Sequence, residues 1–274
     1  VWAFAEGMSN YVAAGGNPDK AVLTNNYVTA TPDEHVMGAL DMMVDAVCDS
    51  MDAIKRPVIS GKDSLSSRFK RKNTAGEVVE TIDIPPVLTM TVAGRIDDIS
   101  KTITTDIKKP GSTLVMVGRA DYEALGGSIL YKTHDGSSAN LPKVDLEQLP
   151  KTLRGVYDAI QTNKVLACHD ISEGGLAVAV SEMAFGGDCG VELNILGDIS
   201  IKQQLFNETA GCFVIEVEDN ETARELFADL PHRIIGRTTD DKQFRTTLNG
   251  GKWFDCSMDE LKAAWKQPLE EVIA

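Results

Sequence analysis

A mixed α/β protein in two units is what this sequence predicts: an α+β unit over residues 1–107 and an α/β unit over 108–274. Three observations carry that expectation. In the second half, apolar strand-like runs alternate with helical patterns, as they do when helices cover a sheet. In the first part, a long amphipathic helical stretch is set between runs rich in β-branched residues. Between the two, at Lys108–Gly111, a Pro-Gly turn opens STLVMVG, a continuous apolar run typical of a buried strand. Both units are of ordinary domain size.

The elements follow in order. Residues 1–14 read as a helix that stops at Gly15-Gly16. AVLTNNYVTATP, 21–32, is a short strand running into a polar loop. PDEHVMGALDMMVDAVCDSMDAI, 32–54, is an amphipathic helix: Val36, Leu40, Met43, Val44 and Val47 recur at helical spacing, and Met42, Met43 and Met51 read as core. PVIS, 57–60, is a strand expected to end at the polar turn GKDS, 61–64. The basic stretch RFKRKNTAGEVVE reads as a solvated hairpin tip, and PPVLTMTVAGRI, 85–96, as a β-branched strand. After STLVMVG come a helix over LGGSILYKT (125–133), a helix over VDLEQLPKTLRGVYDAIQTN, the strand KVLACHD and the helix GGLAVAVSEMAF. Then follow the strand GVELNI, the helix SIKQQLFNE, the strand GCFVIEV, the helix NETARELFADL, the strands HRIIGRT and QFRTTLN, and a last helix over MDELKAAWKQPLEEVI. No internal repeat or low-complexity segment interrupts them.

Charge and composition narrow the partners. The formal net charge is -14, from 41 acidic and 27 basic residues. Such a surface repels nucleic acid and anionic lipid, but not a nucleotide whose phosphates reach carboxylates through Mg²⁺. The five cysteines are scattered and never spaced as CxxC, which reads as free thiols in a reducing cytosol and gives a cytoplasmic location as the expectation. No run reaches the ~18 apolar residues of a membrane span. The chain opens on Val1 in what already reads as helix, without a basic signal-peptide start, and is expected to be a piece of something longer.

Four stretches carry candidate chemistry. In CHDISEGG the strand KVLA delivers His169, Asp170 and Ser172 to its C-terminal end, where open α/β sheets bind ligands. Gly174-Gly175 opens the next helix, whose free N–H groups suit a phosphate; Asp170 then holds Mg²⁺ and Ser172 donates to the phosphate, or either one merely caps the helix. Glu6 and Asn10 are spaced i,i+4, so one hard cation can reach both, although such a pair is equally at home on a solvated face. SGKDS gathers glycine, cation, carboxylate and hydroxyl without being a Walker loop, and reads either as a phosphate and metal site or as a polar turn. Glu208, before the glycine turn of LFNETAG, either contacts a ligand or ends a helix.

Taken in order, AEGMSN, SGKDSLS, LGGSIL, HDISEGGLAVAVSEMAFGGDCGVEL and LFNETAG resemble the C-terminal part of the phosphoribosylformylglycinamidine synthase (FGAM synthetase) family, over essentially the whole chain and including the closing MDELKAAW. The resemblance implies an aminoimidazole ribonucleotide synthetase-like fold, here the second of two repeats: an A-type domain over 1–107 lacking its first strands, then a B-type domain over 108–274. It implies Glu6, Asn10 and Asp170 as magnesium ligands, Ser172 and Gly61 as nucleotide contacts and Ser64 as a substrate contact, with no residue of this stretch assigned as catalytic. Lys62 stands where the small members carry a metal-binding Asn, and Lys62 with Asp63 points to the large single-chain type.

The implied reaction is ATP-dependent conversion of formylglycinamide ribonucleotide to the amidine with ammonia from glutamine, in purine biosynthesis, using Mg²⁺ and ATP/ADP. The implied partners are the first synthetase repeat and a glutaminase part, so this stretch alone is expected to be inactive and to self-associate through its A domain. Two alternatives stand beside it: a non-catalytic module that holds nucleotide structurally, and another member of the same synthetase fold superfamily.

Overall fold

The structure, a computed structural model, describes residues 1–134, 136 and 138–273, and its side chains exclude those of residues 270 and 273. Helix α1 (Trp2–Ala13) buries Phe4, Ala5, Met8 and Val12, a stripe at helical spacing. Strand β1 (Val22–Val28) is followed by α2 (Glu34–Ile54) and β2 (Val58–Ser64). β1 and β2 are parallel, which demands a crossover, and α2 supplies it. Asp33 starts α2 by accepting from the Val36 N–H at 2.8 Å. A hairpin of β3 (Arg68–Lys72) and β4 (Val78–Asp83) precedes β5 (Val87–Ala93). β5 runs antiparallel to β1 and closes a small sheet of order β2-β1-β5.

Two expectations are corrected in this region. GKDS is not a turn after a strand: Gly61, Lys62, Asp63 and Ser64 pair with Asn25–Val28, so β2 runs through all four residues. Met42 is not core; it is 74% exposed, because α2 buries only Val36, Val47, Ser50 and Ile54 on the side that meets the rest of the chain. Val44 also faces outward, whereas Met51 packs against the core.

A large sheet forms from residue 113 onward. In chain order its elements are β6 (Thr113–Val117), α3 (Ile129–Thr133), α4 (Leu149–Gln161), β7 (Val165–Asp170), α5 (Gly175–Gly187), β8 (Gly190–Ile195) and α6 (Ile201–Phe206). β9 (Phe213–Val217), α7 (Asn220–Leu226), β10 (His232–Thr239), β11 (Gln243–Leu248), β12 (Gly251–Ser257) and α8 (Met258–Ile273) complete it. The strand order is β12-β11-β8-β10-β6-β9-β7, and only β8 and β11 pair in parallel. β6 and β9 are buried at every position, so their two faces build two cores. Val115, Val117, Phe213 and Ile215 pack with α1 and α4, while Leu114, Met116 and Val214 pack with α5 and α6.

Helix α1 therefore serves both sheets, packing on β5 as well as on α4 and β7. Strand β12 was not expected from the sequence; it pairs with β11 across Asn249-Gly250, both at positive φ, as a tight hairpin requires. α3 covers only Ile129–Thr133, and Gly126-Gly127 lies in the loop before it. No described helix is long and apolar enough to cross a membrane.

Candidate functional site

The meeting of α1 with the end of β7 creates the site. Asp170 is the last residue of β7 and is 5% exposed. The Asn10 side chain, from α1, donates to Asp170 Oδ2 at 3.2 Å. Glu6 lies one turn earlier on the same face of α1. Its carboxyl is held above the ordinary range by burial and by the nearby charges of Asp170 and Glu173. Glu6 and Asn10 of α1 thus lie beside Asp170, which is 160 residues beyond Asn10 in the chain. Two neighbouring carboxylates and the oxygen of an amide are the kinds of donor a hard cation takes. Among the described residues no group of three or more His, Cys, Asp and Glu side chains is arranged around a metal position, and here the third donor is an amide.

His169 braces Asp170 from behind. Its Nδ1 lies 2.6 Å from the Asp170 carbonyl and its Nε2 3.2 Å from Glu182 on α5. Burial works against the imidazolium, but hydrogen bonds to Asp170 and Glu182 outweigh it and push the pKa up to about 10.

The start of α5 differs from expectation. Neither Asp170 nor Ser172 caps it: the N-cap is Gly174, with no side-chain bond. Nor are the N–H groups of the glycine pair left for a phosphate. Gly174 N–H donates to Glu208 Oε1 at 2.8 Å, and Gly175 N–H to the Ser172 carbonyl at 3.0 Å. The glycine pair has a different cause. Both residues sit at positive φ, and a Cβ on Gly175 would stand 2.8 Å from the backbone oxygens of Leu205 and Asn207. Gly175 is approached by the protein's own backbone and Gly174 by the Val178 side chain. Glu208 is the residue the sequence left open: its carboxylate also accepts from the Ile129 N–H at 2.9 Å.

Ser172 is half-buried beside this turn. Gly61 and Ser64 lie apart on β2, where Ser64 Oγ takes a hydrogen bond from Lys62 and Gly61 faces Asn25. No hydrogen bond or ion pair among the described residues joins them to Glu6, Asn10, Asp170 or Ser172. A cleft of about 290 Å³ opens next to Glu173 and Glu208, walled by Trp2, Gly127, Leu141 and Pro142.

Comparison with known proteins identifies the family. Residues 109–249, half of the chain, match the family described as AIR synthase related protein, C-terminal domain. The chain belongs to that family. Along its length this AIR synthase relative is also similar to phosphoribosylformylglycinamidine synthase subunit PurL. Identity to the protein from Deinococcus radiodurans is 27%, over 99% of this chain and 37% of that one. Identity to the protein from Thermoplasma acidophilum is 28%, over 98% and 34%. The chain thus spans about a third of the length of the curated relatives it matches.

Among solved structures, Thermotoga maritima PurL complexed with ATP aligns with a TM-score of 0.63 at 13% identity, covering 93% of this chain and 39% of that one. The same protein complexed with FGAR gives 0.66 at 12%, covering 91% and 40%. Escherichia coli HypE, a hydrogenase maturation protein, gives 0.64 at 18%, covering 92% and 78%. At these identities the structures establish a shared AIR synthase-like fold.

Proposed function

We propose that this chain is the second synthetase repeat of a phosphoribosylformylglycinamidine synthase and supplies metal and nucleotide ligands to it. In this reading residues 1–107 form the A-type domain and 108–274 the B-type domain. The observation that carries the proposal is the hydrogen bond between Asn10 and Asp170, with Glu6 alongside, across those two domains. The donor set is all oxygen, which suits Mg²⁺. Glu6, Asn10 and Asp170 would hold the ion, which when bound would supply positive charge beside nucleotide phosphates. Asn10 can turn its Oδ1 to a cation while Nδ2 keeps Asp170 in place. In this reading Ser172 contacts the nucleotide, and the cleft beside Glu173 takes the rest of an ATP or ADP.

Gly61 contacts nucleotide and Ser64 contacts substrate from β2, a separate position that other parts of a longer enzyme bring into use. ATP-dependent conversion of formylglycinamide ribonucleotide with glutamine as nitrogen donor, in a reducing cytoplasm, belongs to that longer enzyme, with the first repeat and a glutaminase part as partners. The five free cysteines agree with such a compartment. The test is to place Asp170→Asn in the complete synthase, then assay amidine formation from the ribonucleotide, ATP and ammonium and measure the nucleotide retained on purification. The expected result is a loss of about 10–100-fold in activity or magnesium affinity. Unchanged synthesis together with unchanged nucleotide content rejects the assignment.

A further inference from the structure

We propose that Glu208 is a positioning residue: its carboxylate ties the start of α5, and with it the Asp170–Glu173 turn, to the start of α3, while its backbone carbonyl anchors α1. The inference rests on the metal and nucleotide reading of that turn. Glu208 is 7% exposed and tethers three separate pieces of chain. Its Oε1 accepts from Gly174 N–H at 2.8 Å, at the start of α5, and from Ile129 N–H at 2.9 Å, at the start of α3. Its carbonyl accepts from Trp2 Nε1 at 2.9 Å, at the start of α1. Two helix starts thus share one anionic oxygen, and hydrogen bonds to a charged acceptor are the strong kind.

The backbone that carries Glu208 is pinned on both sides. Asn207 Nδ2 donates to the carbonyls of Asp121 and Ala124 at 2.7 and 2.8 Å. Asn207 Oδ1 accepts from Thr209 N–H at 3.1 Å, and Thr209 Oγ1 accepts from Asp121 N–H at 3.0 Å. Trp2 lies four residues before Glu6, and Gly174 four residues after Asp170. Both halves of the candidate cation site therefore hang on one residue, which does at the start of α5 what a bound anion does elsewhere.

The experiment uses the full chain as wild type, Glu208→Ala, Glu208→Gln and Asp170→Asn. Each is titrated with magnesium and ADP, with and without added formate, and amide exchange is followed in parallel. Glu208→Ala leaves the Trp2 bond to the backbone intact and removes only the shared carboxylate. Its magnesium–ADP affinity is expected to fall about tenfold or more. Exchange should quicken over residues 126–131 and 172–176 and not in β5. Formate, filling the vacated position, should reverse both effects. Glu208→Gln keeps an acceptor oxygen and should lose less. Asp170→Asn should lose binding whether or not formate is present.

Wild-type binding in Glu208→Ala, or a loss that formate does not reverse, overturns the positioning role. If the wild type itself binds no magnesium–ADP, the site reading fails first. The clamp is then judged by exchange alone, and it falls if Glu208→Ala leaves residues 126–131 and 172–176 unchanged.

Discussion

Two sheets of this chain are made from strands of similar composition and covered to opposite extents. β6, TLVMV, and β9, FVIEV, are buried at every residue between layers of helices. β5, VLTMTVA, alternates between exposed and half-buried, and β2 is exposed over all but its ends. Around the small sheet Ile59 is 61% exposed, Phe69 60% and Met42 74%. Strand propensity belongs to the local sequence, whereas coverage is decided by what packs against the strand.

Substitutions can sharpen or break this contrast. The largest effect is expected from Phe213→Ala in β9, a fully buried ring packed with α1 and α4, which should cost about 3–5 kcal/mol in denaturant unfolding. Next comes a matched pair of glycines. A Cβ on Gly236 of β10 would overlap the backbone oxygen of Glu192, which cannot yield without moving the large sheet. On Gly61 of β2 the overlap is with the side-chain oxygen of Asn25, which can turn away. Gly236→Ala should therefore cost about 1–3 kcal/mol and Gly61→Ala clearly less. Equal costs would mean the small sheet is as tightly constrained as the large one.

A smaller effect concerns pH. Burial raises the Glu216 carboxyl above its ordinary range, although hydrogen bonds from Ser112 and from the Lys108 N–H oppose the rise. The folded state thus binds this proton more tightly than the unfolded state. Its contribution is most favourable below the ordinary carboxylate pKa and declines as pH climbs through the raised value. Urea unfolding from pH 4 to 7 should show that decline in the wild type and a flatter profile in Glu216→Gln. The smallest effect on stability belongs to the outer face. Ile59→Ser and Met42→Ser should change it by no more than about 0.5 kcal/mol, yet reduce self-association in sedimentation. Stability losses as large as that of Phe213→Ala would show that the face is already covered.

Much of this was legible beforehand. The amphipathic stretch of α2, the apolar runs of β6 and β9, and Asp170 at the end of β7 follow from periodicity and strand length. Glu6 and Asn10 could be paired from their i,i+4 spacing, but nothing in that spacing says that they face Asp170, which requires α1 to pack on β7. Met42 reads as core because helical periodicity does not distinguish a face covered on one side from a wider one. GKDS looks like a turn because its polar residues hide a parallel pairing with Asn25–Val28.

Strand β12 carries charges and outward aromatics at a sheet edge, although Asn249-Gly250 signals its hairpin. Glu208 was the hardest residue to read. Its partners Gly174 and Ile129 are 34 and 79 residues away and are backbone groups, which leave no mark in a sequence.

A cation site that draws on both parts of the chain is tested most directly by a double-mutant cycle of Glu6→Gln and Asp170→Asn in magnesium-dependent nucleotide titration. If both carboxylates serve one ion, each single substitution should remove most of the magnesium dependence, and the double variant should lose little beyond either single one, a coupling of about 0.5–3 kcal/mol. Independent, additive losses, or titrations unchanged by either substitution, would contradict a shared site.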